Sequence, residues 1–579
     1  MESIKIMKRN LAIIVAALFV TLTGCINQGD PVKKRPNIIF ILADDLGYMD
    51  IQAYAHHTLG TDKDSMYYET PNLDRFISEG VAFSQAYANQ LCSPTRAALL
   101  TGKYASRIGF TTAAGHEPTW YNQEKEVPED SYMHDVLYHT DHLEVEQAWM
   151  NGSSNTALPT GQKRDNGWDV LTIAEALEDY HSAFIGKWHL GGFEAKGYQP
   201  GDNGFEELIF KDAGGFDYLN WRDSWVKPSD KLKSAIEKNL LKGGSLGKDT
   251  GKPYLTDEMG AQAVNFIRER AENSDQPFFL YFCHFAVHTP YQGKEEDVEY
   301  FTSKETRGWN NHNLPQYGAM LKSLDNTVGD IFNTLEETGL DENTLLVFMS
   351  DNGGLDSDIR RRSTMGTNNY PFVGGKACLT EGGIRVPLIF RWKGNIEGGK
   401  WCSIPVDATD IFPSLLDVAG YDAEEIIERE DMDGRSIIPL LSDTENKENA
   451  FDKNIRYWHY PFNARMSDPF DGHYLTPKSA IREGDYKLIF DWHGRLHLFD
   501  IENDPYEEKN LVKTMPEKTN EMFAKLMQWL EGNVKNTYWP YQNPEYIPEN
   551  DLHEEPFIDL YQAWKEGKDV AEIVISDLK

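Results

Sequence analysis

Cysteine is scarce in this chain. Its 579 residues hold five, Cys25, Cys92, Cys283, Cys378 and Cys402, too few and too scattered for a disulfide framework. Cations are short as well: 57 Lys and Arg stand against 92 Asp and Glu, a formal net charge of −35. That excludes a basic nucleic-acid binder, which needs an excess of cations to neutralise phosphates. An anionic ligand would therefore need a locally cationic pocket inside a repulsive global field. Long apolar runs are missing too. The longest apolar stretch near the start, Leu11 to Leu22, falls short of the roughly 20 residues that span a bilayer. With a mean hydropathy of −0.55, a multi-span membrane protein is excluded. There is no internal repeat and no long low-complexity tract.

What is present begins with a targeting segment. Lys8 and Arg9 precede the apolar stretch, which ends in Leu22-Thr23-Gly24-Cys25. This order fits a secretory signal. The last four residues resemble a bacterial lipoprotein cleavage box, which implies lipidation of Cys25 and removal of residues 1–24. The protein is then expected to be exported and lipid-anchored, in the periplasm or at the outer membrane and cell surface. Its contact with membrane would run through the anchor alone.

Beyond a linker at 25–36, short apolar runs alternate with helix-period stretches. The runs are Asn37–Ala43, Ala183–Gly186, Pro277–Phe285, Thr344–Met349 and Val386–Trp392. Continuous apolar runs of this length suit strands buried on both faces. Helices are expected over Thr172–Tyr180, Glu258–Ala271 and Gln316–Thr338, and loops over 141–166 and 227–253. The pattern predicts an α/β fold over 37–445, with a large, mostly parallel or mixed central sheet flanked by helices. From 446 to 579 short alternating segments predict a smaller antiparallel sheet closed by a helix near Pro516–Leu530, and the acidic tail after Asn543 gives no pattern.

Polar residues gather where these runs end. Asp44-Asp45 follow the first, Lys187 and His189 the second, His288 the third, and Ser350-Asp351-Asn352 the fourth. In open α/β sheets ligands bind outside the carboxyl ends of the strands. Three carboxylates plus an amide oxygen make a hard, all-oxygen site suited to Ca²⁺ or Mg²⁺. Taken singly, each piece reads better as a turn, cap or structural residue. Their joint occurrence at strand ends favours a site.

The segment Leu91-Cys92-Ser93-Pro94-Thr95-Arg96 reads as a helix start, with Ser93 as the cap and Pro94 in the first turn. Cys92 would then sit at a helix N-terminus that favours an anion, with Arg96 a turn away. Here the sequence resembles the type I sulfatases, whose C-x-P-x-R signature it carries. The resemblance extends to RPNIIFILADDLGY at 35–48, TPNLDRF at 70–76, AFIGKWHLGG at 183–192, His288-Thr289-Pro290, SDNGG at 350–354 and GGKACLTEGGIRVP at 374–387. It continues more loosely through residues 457–461 and 480–490.

The resemblance implies an alkaline phosphatase-like fold and an enzyme that hydrolyses sulfate esters. It implies that Cys92 is oxidised to formylglycine (3-oxoalanine) by a maturing enzyme, and that its hydrate is the nucleophile. Asp44, Asp45, Asp351 and Asn352, together with residue 92, are implied to hold one Ca²⁺. Arg96 and Lys187 are implied to hold the hydroxyls of residue 92 and the sulfate, His189 to act as the base that releases sulfate, and His288 and Lys376 to bind the sulfate and assist the leaving oxygen. A sulfated oligosaccharide or polysaccharide is the implied substrate, with algal glycans of the ulvan or carrageenan type and host glycosaminoglycans both open.

Candidate substrate-facing residues are His116, Arg360, Arg361, His459 and Tyr460. The Asp358–Arg362 stretch reads equally as a solvated turn. Trp120, Trp221 and Trp458 read either as sugar platforms or as core. Three rival functions stand beside this one: a phosphodiesterase or phosphonate monoester hydrolase of related fold, a non-catalytic glycan-binding lipoprotein, and a thiol hydrolase using unmodified Cys92.

Overall fold

The computed structural model describes residues 34–113, 150–152, 154, 158, 170–191, 199–212, 217–222, 250–273, 275–306, 308–356, 366–444, 455–542 and 557–577. The signal segment 1–24, Cys25, His116, Trp120, Arg360 and Arg361 lie outside the described residues, as do most of the stretches 141–166 and 227–253.

The first apolar run forms β1 (Asn37–Ala43), every residue of which is buried. In chain order follow β2 (Val81–Tyr87), β3 (His181–Lys187), β4 (Glu207–Asp212), β5 (Phe278–Cys283), β6 (Thr344–Ser350), β7 (Arg385–Arg391), β8 (Lys400–Cys402) and β9 (Val406–Asp407). They make one nine-stranded sheet in the order β9-β2-β7-β6-β1-β5-β3-β4, with β8 also paired to β2. β1 lies parallel between β6, where Ala43 faces Ser350, and β5, where Leu42 faces Cys283. β3 joins β5 in parallel, with Gly186 opposite Cys283.

β7 runs antiparallel to both β6 and β2, the one reversal in an otherwise parallel sheet. This reversal positions the site. The carboxyl ends of β1, β2, β3, β5 and β6 share one edge with the amino end of β7. The connection between β6 and β7, which carries Asp351, Asn352 and Lys376, therefore begins and ends at that edge.

Both faces of the sheet are covered. Phe40, Leu42, Val347 and Leu388 point into one core, shared with the helices Cys92–Thr101 and Ile411–Val418. Ile39, Ile41, Leu346 and Phe348 point into the other, beneath the helices Leu255–Asn273 and Pro315–Thr338. Each such side chain contributes about 1.5–3 kcal/mol by leaving water. The helix expected over Thr172–Tyr180 is shorter, Ile173–Ala176, opened by a Thr172–Glu175 capping box. Leu177 and Tyr180 are buried as expected, but through a turn in which the Tyr180 N–H donates to the Leu177 carbonyl.

The C-terminal part forms a four-stranded antiparallel sheet, β10 (Ile455–Tyr460), β11 (Lys478–Glu483), β12 (Tyr486–Asp491) and β13 (Arg495–Asp500), paired in that order. The helix Pro516–Asn533 covers it. The tail is not featureless. Helices Leu560–Lys565 and Val570–Asp577 bring Leu560, Val570 and Val574 into the same core as Leu526 and Leu530. Their charged residues mask that apolar face in the sequence. The described residues from Pro36 onward form one compact unit.

Candidate active site

The shared sheet edge gathers three carboxylates and three cations, nearly all of them buried. Asp44 and Asp45 leave β1, and Asp351 and Asn352 leave β6 in the neighbouring register. The Asp45 N–H donates to Asp351 Oδ1 at 3.2 Å, and Asn352 Nδ2 donates to Asp45 Oδ1 at 2.8 Å. Ser350, the first residue of the SDNGG motif, stitches the two loops. Its Oγ accepts from the Leu46 N–H at 3.1 Å and donates to the Asn352 carbonyl at 2.9 Å.

The cations arrive from three other segments. Lys187, the last residue of β3, places Nζ 2.6 Å from Asp44 Oδ2. Lys376 places Nζ 2.8 Å from the Asp45 carboxylate. Arg96 donates from Nε and Nη2 to Asp351 Oδ2 at 3.1 and 2.7 Å, and from Nη1 to the Lys187 carbonyl at 2.8 Å.

Arg96 and Cys92 share the helix Cys92–Thr101. That helix begins at Cys92 with Leu91 in the cap position, so Ser93 is not the cap. Instead, Thr95 Oγ1 accepts the Asn89 N–H at 2.9 Å and secures the approach to the helix. Cys92 therefore lies in the first turn, where backbone donors favour an anion. Ligand atoms of Asp44, Cys92 and Asp351 fall within 4.8 Å of one another, as do those of Asp44, Asp45 and His288.

Two further site residues bend the backbone. Asp45 (φ 59°) and His189 (φ 57°) adopt the left-handed conformation that side chains disfavour. Such conformations persist only where the surroundings over-determine them. His189 is fully buried two residues beyond Lys187. His288 is partly open. Its Nδ1 donates to the Thr289 carbonyl at 2.7 Å, which turns Nε2 toward Asp45 Oδ2 at 3.6 Å.

The charges fix one another. Burial alone would raise Asp44, but Lys187, His288, Arg96 and Lys376 together hold it far below the usual carboxylate range. Burial likewise opposes the lowering of Asp45, which Lys376 and His288 bring about. Asp351 is pushed up to about 7 by burial and by the Asp44 charge beside it. Burial pushes the Cys92 thiol up against the pull of Lys187 and Lys376. Burial and Lys376 push His288 down to about 4.

The donor set fits a hard cation. Asp44 Oδ1 and Asn352 Oδ1 are buried without a hydrogen-bond partner among the described residues. Both are oxygens, beside two further carboxylates, the chemistry that Ca²⁺ prefers.

Not every expected residue belongs here. His459 does not face a substrate: it is buried in the C-terminal sheet, with Nδ1 2.8 Å from Ser479 Oγ and Nε2 2.9 Å from the Tyr538 carbonyl. Tyr460 beside it is buried too. Trp221 and Trp458 are core residues, their indole N–H groups donating to the carbonyls of Pro253 and Ala88.

Comparison with known proteins agrees with this geometry. The family model described as Sulfatase matches residues 36–138 and 143–421, and one described as N-sulphoglucosamine sulphohydrolase, C-terminal, matches 374–536. A protein of Formosa agariphila named Sulfatase is 30% identical over 593 residues, covering 94% of this chain and 97% of its own. The N-acetylgalactosamine-6-sulfatase of Rattus norvegicus is 29% identical over 425 residues, covering 72% and 67%. Among solved structures, that of Ps i-CgsB in complex with k-i-k-neocarrahexaose aligns with a TM-score of 0.61 at 27% identity, over 88% of this chain and 95% of that one.

Proposed function

The chain belongs to the sulfatase family and is a sulfatase, and from that premise we propose that it removes sulfate from a sulfated carbohydrate, using formylglycine at residue 92 and one Ca²⁺ ion. The observation that carries the reading is the convergence of Asp44, Asp45, Asp351, Arg96, Lys187 and Lys376 around Cys92 at one sheet edge.

Three cations already balance three carboxylates. A divalent ion held by Asp44, Asp45, Asp351, Asn352 and residue 92 would leave a surplus of positive charge. That surplus is what an anionic sulfate ester needs inside an acidic protein, and when bound the ion supplies neutralisation of the sulfate oxygens. Matured to a hydrated aldehyde, residue 92 would supply two hydroxyls on one carbon, one for attack on sulfur and one for release of sulfate.

The chain's own groups do the rest. Arg96 is held on Asp351 and the Lys187 carbonyl, so its charge is fixed in place before substrate arrives. Lys187 and Lys376 flank the same space. His288 keeps one proton on Nδ1, donated to the Thr289 carbonyl, so Nε2 hands a proton to the departing alcohol oxygen only from the doubly protonated ring, a form that its lowering to about 4 disfavours until an anionic ester sits beside it. His189 takes the proton of the second hydroxyl.

The carbohydrate substrate is supported by relatives named N-acetylgalactosamine-6-sulfatase and by the neighbour bound to neocarrahexaose. Export and anchoring through Cys25 are supported by the Lys8-Arg9, Leu11–Leu22 and Leu22–Cys25 order. Maturation of Cys92 makes a formylglycine-generating enzyme a required partner.

The deciding test pairs two measurements. The mass of the tryptic peptide Phe76–Arg96 from the native host should match formylglycine at residue 92. The same protein should cleave an aryl sulfate faster than the matched aryl phosphate or phosphonate ester. An unmodified cysteine with thiol-dependent activity, or a preference for the phosphorus ester, would overturn the reading.

A further inference from the structure

A buried charge cluster lies where the C-terminal sheet meets the active-site segments. Lys487 on β12 has no solvent exposure. Its Nζ sits 2.7 Å from Glu381 Oε1 and 2.7 Å from Glu507 Oε1, and both carboxylates are buried with it. Glu381 makes further contacts. Its Oε2 accepts from Tyr87 Oη at 2.8 Å, and its backbone N–H donates to Glu507 Oε2 at 2.7 Å. Arg482 on β11 reaches the same Tyr87 hydroxyl and donates to Gln85 Oε1 at 2.6 Å. A lysine and a glutamate this deeply buried are costly unless fully paired. Here each is.

The cluster grips the two segments that carry Cys92 and Lys376. Tyr87 ends β2, five residues before Cys92. Glu381 follows Lys376 by five residues and precedes β7. Between these points the segments are zipped together. Tyr87 pairs with Arg385, the Ala88 N–H donates to the Ile384 carbonyl at 2.8 Å, and the Ala377 N–H donates to the Gln90 carbonyl at 2.8 Å. The Asp351 loop joins the same zipper, since the Gly353 N–H donates to the Gly383 carbonyl at 2.9 Å. Trp458 on β10 adds a second grip through its indole N–H on the Ala88 carbonyl at 2.9 Å.

We infer that Lys487, acting through Glu381 and Tyr87, is a positioning residue: the C-terminal sheet uses it to lock the Cys92 and Lys376 segments at their working separation. The inference rests on the sulfatase reading above for the meaning of that separation. It gives the C-terminal sheet a part in catalysis although Lys487 reaches no reacting atom.

The test uses full-length protein. Lys487→Met keeps most of the volume and removes the charge. It should lower kcat at least tenfold, measured well below the variant's melting temperature, with KM changed less than threefold. A second readout needs no turnover: in unmatured protein the Cys92 thiol should be alkylated at least tenfold faster in the variant, while Cys402, buried on β8 opposite Phe83 at the start of β2, keeps its wild-type rate. If Lys487→Met fails to fold, Glu507→Gln decides. It keeps an acceptor for Lys487 and should change both readouts in the same direction, by about threefold. Unchanged kcat and alkylation in the folded variant, or equal acceleration at Cys92 and Cys402, overturns the inference. Wild-type protein without sulfatase activity would instead overturn the functional reading, whatever the alkylation ratio shows.

Discussion

Replacing Arg96 by lysine keeps the charge and removes the geometry. The guanidinium spans two acceptors on different segments: Asp351 Oδ2, at 3.1 and 2.7 Å, and the Lys187 carbonyl, at 2.8 Å. A lysine ammonium is a point charge on a flexible stem and cannot reproduce that fork. At least one charge-assisted hydrogen bond is lost, worth about 1.5–3 kcal/mol, and one buried acceptor is left unpaired at about 1–3 kcal/mol. The sum is about 2.5–6 kcal/mol. At about 2.1 cal/mol/K of unfolding entropy per residue, an ordered chain of this size has an entropy of roughly 1 kcal/mol/K, so Tm should fall by about 2.5–6 °C. The assay is calorimetry on unmatured protein in chelator, so that neither aldehyde nor metal contributes. Arg75→Lys serves as the control, because Arg75 pairs with Glu79 and Glu336 near the surface, where an ion pair is worth about 1 kcal/mol or less. Turnover of matured Arg96→Lys should fall at least about 100-fold, since a fixed cation beside the reacting group is lost. An Arg96→Lys protein that melts within 1 °C of wild type and keeps more than half its turnover would refute the reasoning.

Cys92→Ser should lower turnover by at least about 10³-fold, as removal of a nucleophile does, because serine carries no second hydroxyl on the same carbon; near-wild-type rates in well-purified protein would sink the proposed chemistry. Chelation should lower both activity and Tm, with Ca²⁺ restoring both, since a ligand bound only to the folded state stabilises it; full activity in metal-free protein would contradict the ion's role. His459 supplies a pH prediction. Burial pushes it down to about 4, against about 6.5 in the unfolded chain, so the unfolded state binds the proton first. The stability tied to neutral His459 is fully present above pH 6.5 and lost as pH falls toward 4, about 3 kcal/mol in all. His459→Gln should therefore lose less Tm than wild type between pH 7 and 4, and parallel curves would rule this out.

The site was legible in the sequence because its residues obey a positional rule. Asp44-Asp45 and Asp351-Asn352 end apolar runs, and the ends of neighbouring parallel strands must share an edge. The direction of β7 was not legible, since Val386–Trp392 has the same apolar composition whichever way it runs. Yet that reversal is what keeps Lys376 at the site. His459 was misplaced for a related reason. In Tyr457-Trp458-His459-Tyr460-Pro461 it looks like part of an aromatic sugar platform, and only Ser479 and Tyr538, 20 and 79 residues away, show it to be a satisfied core histidine.

The Lys487 cluster is the limiting case of this blindness. Its lysine lies 106 residues from Glu381, and Glu381 lies 126 from Glu507. In sequence each reads as a solvated charge on a turn or strand. A buried charge differs from an exposed one only by its partner, and no local pattern names a partner a hundred residues away. Groups that perform chemistry therefore cluster where strand ends must meet. Groups that hold the chemistry in place are spread through the chain, wherever packing brings opposite charges together, and they become visible only when the second sheet is set against the first.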